Sequence, residues 1–286
     1  MRIVIGVDSS EEASAAVDQV TQFARSFDEV ILVHGVDLGL FQPPAVAEAM
    51  NLQGYEDFRY AMLEAGRQVV ERYRTNLPTD MSFVQMSCEV CDPASYILDT
   101  ARFMNADLIV VGTHDRSRLM EMLIGSVSHH VLLHAKCSTL IVKGKAREMK
   151  RVLMAIESRE DAALIQAWMK AHPFKHPVTV TILSVIPTLA LIEPSLMFGF
   201  QHWSENYKRE MQHVVDDTSR AFPDAQFIVT TEMRLGDPVT TICDAGNDHD
   251  LIIISSHGRK GVDRFLLGSV SHGIVHRANT SVLVIR

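Results

Sequence analysis

Two stretches of this 286-residue chain carry the same punctuation. Gly112-Thr113-His114-Asp115 is followed, after nine residues, by Gly125-Ser126-Val127-Ser128. Ser255-Ser256-His257-Gly258 is followed, again after nine, by Gly268-Ser269-Val270-Ser271. Each first block leaves a short apolar run, and each second block opens an amphipathic one. Small residues at a strand exit let main chain approach a ligand closely. N–H groups at a helix N-terminus, with hydroxyls beside them, suit an anion. The chemistry on offer is phosphate binding.

Other reactive residue types do not assemble into a set. Cys88 and Cys91 have C-x2-C spacing, and His130, His134 and Cys137 follow as H-x3-H-x2-C. A zinc ribbon needs a second C-x2-C pair, and there is none. Small thiols are common buried residues, so no metal site is expected. His114 and His257 occupy equivalent loop positions, where they shape the loop or donate to phosphate. His129 and His272 read as ordinary helix residues. Arg259 and Lys260 read as solvated loop charges. There is no G-x-S-x-G elbow, no Walker lysine and no H-E-x-x-H. Phosphoryl transfer needs a metal and a positioned nucleophile, and the sequence supplies neither. No catalytic residue is assigned; slow hydrolysis of bound ATP is the most such a site would do.

The elements that must position these residues come twice. At an offset of 143, residues 107–143 and 250–286 are identical at 14 of 37 positions, including Gly-Ser-Val-Ser-His. Arg2-Ile3-Val4-Ile5 matches Arg151-Val152-Leu153-Met154, and Asp92-Pro93 matches Asp237-Pro238. Domains are expected at 1–145 and 149–286, joined by a short basic linker. The first predicts strands at 2–8, 29–36, 82–89, 107–112 and 138–143, with helices at 11–26, 54–76, 93–104 and 125–135. The second predicts strands at 151–157, 178–186, 226–233, 250–255 and 281–285, with helices at 159–171, 200–221, 238–247 and 268–277. Runs such as Leu108-Ile109-Val110-Val111 suit strands buried on both faces. Strand–helix alternation implies parallel sheets with right-handed crossovers. Ligands of such open sheets sit beyond the C-terminal strand ends, where the strand order reverses.

The repeated glycine spacing, placed after a fourth strand, resembles the universal stress protein family in its tandem two-domain form. The resemblance covers essentially the whole chain. It implies an α/β fold of two open parallel-sheet sandwiches, each with five strands in the order 3-2-1-4-5 and flavodoxin-like layering. It also implies stress-linked expression and a site for ATP or a related adenine nucleotide, with or without Mg. Members that bind ATP use an acid after the first strand, a backbone group near the second, and the Gly/Ser loop for phosphates. Carried over, the first domain offers Asp8, Gly35, Gly112, Gly125, Ser126 and Ser128. The second offers Glu157, Val185, Ser255, Gly258, Gly268, Ser269 and Ser271. Asp115 stands where the first domain's second glycine belongs, bringing a like charge toward phosphate; Glu157 is one methylene longer than the usual Asp. The second domain is therefore the expected nucleotide site.

Composition bounds the rest. Hydrophobic residues make up 47% and charged residues 22%, with a formal charge of −8. Such an acidic surface repels nucleic acid, so no nucleic-acid partner is expected. No apolar run reaches the ~18 residues of a membrane span, and the N-terminus does not read as a secretory leader, so a cytoplasmic protein is expected. The last strands, Thr139–Val142 and Val282–Ile285, are apolar edges that need cover. They predict an intramolecular pseudo-dimer of the two domains; a further homodimer is compatible with this. The connections at 38–55 and 187–203 are long and apolar. They leave an alternative open: a nucleotide-independent module for protein–protein interaction or an apolar ligand.

Overall fold

The computed structural model describes residues 1–25, 28–39, 52–78, 83–113, 125–172, 174–188, 197–222, 225–256 and 267–286. The chain divides into two compact units, Met1–Ala146 and Arg147–Arg286.

The first unit runs β1 (Arg2–Gly6), α1 (Glu11–Phe23), β2 (Glu29–Val36), α2 (Leu52–Asn76), β3 (Phe83–Val90), α3 (Pro93–Phe103), β4 (Leu108–Gly112), α4 (Ser126–His134) and β5 (Ser138–Val142). All its strand pairs are parallel, and the order is β3-β2-β1-β4-β5. The second unit runs β6 (Arg151–Ala155), α5 (Arg159–Ala171), β7 (Val178–Pro187), α6 (Met197–Arg220), β8 (Phe227–Gly236), α7 (Pro238–Gly246), β9 (Leu251–Ser255), α8 (Ser269–Arg277) and β10 (Val282–Ile285). Its parallel sheet has the matching order β8-β7-β6-β9-β10. The expected α/β class and strand order are thus found in both.

The continuous apolar runs behave as strands covered on both faces. Ile3, Val4, Ile5, Ile109 and Val110 are fully buried in the first unit, and Val152, Leu153, Ile252 and Ile253 in the second. Each such side chain contributes about 1.5–3 kcal/mol when fully removed from water. Four helix starts carry side-chain caps: Ser10 for α1, Asp92 for α3, Ser158 for α5 and Asp237 for α7. Pro93 and Pro238 follow their caps at the first helical position, where the missing N–H is not needed. Among the described residues no helix is long and apolar enough to cross a membrane.

Several element boundaries differ from expectation by a few residues, and two of them bear on the loops. The first strand stops at Gly6, because the chain turns through Asp8 to cap α1. Helix α6 begins at Met197, inside the stretch read as connection. Most of 38–55, residues 189–196, and the loop residues His114, Asp115, His257, Gly258, Arg259 and Lys260 lie outside the described residues.

Candidate functional site

In each unit the order reverses between the first and fourth strands, so a crevice opens beyond their C-terminal ends. The wall at the end of β1 is a tight turn. Asp8 is exposed, and its Oδ1 accepts the Ser10 N–H at 2.8 Å and also the Ser10 hydroxyl. The Ser10 oxygen then accepts the Ala13 N–H at 3.1 Å, starting α1. Buried Tyr73 reaches from α2 and donates to the Asp8 carbonyl at 2.9 Å. Its phenol is held above the ordinary value, mainly by burial.

The second unit builds the same wall from different residues. Tyr207 of α6 donates to the Glu157 carbonyl at 3.3 Å. The Glu157 N–H donates to Asp161 Oδ2 at 3.3 Å, and Asp161 Oδ1 accepts the Ser255 hydroxyl at 2.6 Å. Asp161 therefore ties the ends of β6 and β9 together. Sequence reasoning missed Asp161, Tyr73 and Tyr207. The signal for Asp161 was comparison of the repeats: the residue that donates to the helix cap is Ala13 in α1 and Asp161 in α5.

The second-strand residues lie near the C-terminal ends of their strands. Gly35 is in β2 and Val185 in β7. Val7 N–H donates to Val33 C=O, while Cys91 N–H donates to Val36 C=O. Backbone groups of alternate residues point to alternate neighbours, so the peptide of Gly35 points to the β1 side. Pairing with β1 ends at Gly6↔Val33, which puts Gly35 beyond it, at the crevice. Val185 stands in the same relation to β6, since Ile156 N–H donates to Leu183 C=O. Gly35 serves packing as well: a Cβ there would lie 2.6 Å from the Pro93 Cα.

At the fourth strand the two units diverge. A Cβ on Gly112 would sit 2.3 Å from the Glu12 carbonyl oxygen, so α1 rests directly on this glycine. Ser255 occupies the same place in the second unit, is 5% exposed, and turns its hydroxyl to Asp161. Ser128 donates to the Gly112 carbonyl at 2.7 Å, and Ser271 to the Ser255 carbonyl at 2.8 Å. Each of these hydroxyls donates within the protein. Ser126 and Ser269 are exposed at the first helical positions. Gly125 and Gly268 are the N-caps of α4 and α8, and among the described residues neither start has a side-chain cap bond. These helix starts thus present main-chain N–H groups and one exposed serine each.

Two thiols, Cys88 and Cys91, are held above the ordinary value. Cys88 is raised by burial, and Cys91 is pushed up to about 11 by burial first, then by Glu89 and Asp92. His130 and His134 pack ring against ring at 4.4 Å on α4.

The doubly wound parallel sheet of each unit defines an α/β protein of the open-sheet type. The model described as the universal stress protein family matches residues 1–143 and again 148–286. The chain belongs to the universal stress protein family, as two tandem domains. A universal stress protein of Mycolicibacterium smegmatis is 25% identical over 292 residues, which is 99% of this chain and 96% of the relative. One of Methanocaldococcus jannaschii is 30% identical over 155 residues, spanning 51% of this chain and 84% of its own length. The crystal structure of a universal stress protein from Archaeoglobus fulgidus is similar in fold. It covers 100% of this chain and 96% of its own, with a TM-score of 0.66 and 19% identity.

Proposed function

We propose that this chain is a stress-response regulatory module that binds ATP or a related adenine nucleotide, principally in its C-terminal unit. The observation that carries the reading is a contrast among helix starts. Four are closed by a Ser or Asp side chain, whereas α4 and α8 begin with an uncapped glycine at the crevice. A helix start left without a side-chain acceptor presents N–H groups and a positive dipole end to an anion. Adenine would lie against the Val185 backbone, with the ribose near Glu157 and phosphate on Gly268 and Ser269.

A second reading, a nucleotide-independent interaction module, is favoured by the inward commitment of the Ser255 and Ser271 hydroxyls. Calorimetric titration of AMP and of MgATP into the full chain separates the two, using Gly268→Asp as control. The Gly268 dihedrals, φ −60° and ψ 152°, suit any residue, and Asp is a good N-cap. Its carboxylate would occupy the anion position while keeping the helix. Binding in wild type, lost in Gly268→Asp at an unchanged or higher melting temperature, is expected. Equal binding in both would overturn the placement, and no binding in wild type would favour the second reading.

A further inference from the structure

We propose that Asp161 makes the C-terminal crevice selective for adenine ligands carrying little phosphate charge. The inference rests on the nucleotide reading above and deepens it. Asp161 is 7% exposed, so its charge is poorly screened by solvent. Ser255 links it to the first turn of α8: the Ser255 hydroxyl donates to Asp161 at 2.6 Å, and the Ser255 carbonyl accepts from Ser271 at 2.8 Å. Among the described residues no cation pairs with Asp161. Arg159, two residues away, is turned to Asp217 at 3.3 Å. A phosphate on the N–H groups of α8 would face this carboxylate across one serine. Each added phosphate charge strengthens that repulsion, while adenine and ribose do not feel it. The first unit has no such group, since Ala13 and Gly112 fill the corresponding places.

The test uses a signal confined to this unit. The chain has two tryptophans, Trp168 and Trp203, both in the C-terminal half. Trp168 lies on α5 with Asp161. Trp203 stacks on Tyr207 at 5.3 Å, and Tyr207 donates to the Glu157 carbonyl. Adenosine, AMP, ADP and ATP are titrated in magnesium-free buffer into the full chain, its Asp161→Asn variant, and the double variant Asp161→Ala/Ser255→Gly. The double variant installs the pair found in the first unit, which guards against a fold defect from Asn. Tryptophan fluorescence and calorimetry are read together. In wild type, affinity should fall along the series, with ATP about tenfold or more weaker than AMP. In both variants ATP should gain about tenfold while adenosine changes less than about threefold, a pattern that mere loosening would not give. Adding magnesium should recover ATP binding in wild type more than in the variants. The same order of affinities in all three proteins would overturn the selectivity and leave nucleotide binding standing. No heat and no fluorescence change with any ligand in any protein would overturn both.

Discussion

Replacing Gly112 with alanine tests how the first crevice is built. The φ of Gly112 is outside the left-handed region, so the penalty is one of space. The new Cβ would lie 2.3 Å from the Glu12 carbonyl oxygen, against 3.4 Å or more in ordinary contact. The start of α1 must retreat by about 1 Å or β4 must bend, since packed interiors lack slack. That retreat is opposed by the Ser10 cap on Ala13 and by Tyr73, which holds the Asp8 carbonyl. Overpacking of this kind costs about 1–3 kcal/mol, and loosening one buried hydrogen bond adds about 1 kcal/mol. A total of about 2–4 kcal/mol corresponds to roughly 6–12 °C in a domain of this size. Scanning calorimetry of the full chain should show one unit's transition displaced by that amount, with the other unmoved. A shift below about 1 °C would refute the claim that α1 rests on this glycine.

Further outcomes are expected elsewhere. Ser255→Ala removes the donor to Asp161, and should lower the stability of the second unit by about 1–3 kcal/mol in urea unfolding. Asp237→Ala removes the cap of α7 and should cost about 1 kcal/mol by the same measurement. The carboxyls of Asp92 and Asp237 are held below the ordinary carboxylate value, by the Ser95 N–H and by the Thr240 hydroxyl and N–H respectively. Their contribution is therefore present above the ordinary carboxylate value and lost as pH falls through the lowered one; an acid titration should lose that dependence in the double Asn variant. The Cys91 thiol, raised to about 11, favours the fold in its neutral form and ceases to do so as pH rises through that value. Alkylation by iodoacetamide should accordingly be slow at neutral pH and rise only in strongly alkaline buffer.

The fold was legible because its period was. Four-residue apolar runs such as Leu108–Val111, spaced by amphipathic stretches, specify buried parallel strands, and the repeat supplies a second reading of each element. The start of α6 was legible only to within a turn: the pattern predicts a helix from 200, and it begins at Met197, in a stretch whose aromatic residues and glycine give no clear helical period. At the site, glycines were easier to read than serines. Gly35 and Gly112 mark places where another backbone approaches, as Pro93 and Glu12 do. For Ser128 and Ser271, sequence cannot show where a hydroxyl points, here to the Gly112 and Ser255 carbonyls. Asp161 was hidden for a different reason: its partner Ser255 is 94 residues away, and an acid in the first turn of a helix has an ordinary explanation in the helix dipole.

The most direct measurement is a crystal structure of the full chain grown with AMP at millimolar concentration. The account predicts adenine against the backbone of Val185, ribose beside Glu157, and phosphate at the start of α8 over Gly268 and Ser269. Ligand density elsewhere, or a C-terminal crevice without ligand at that concentration, would contradict it.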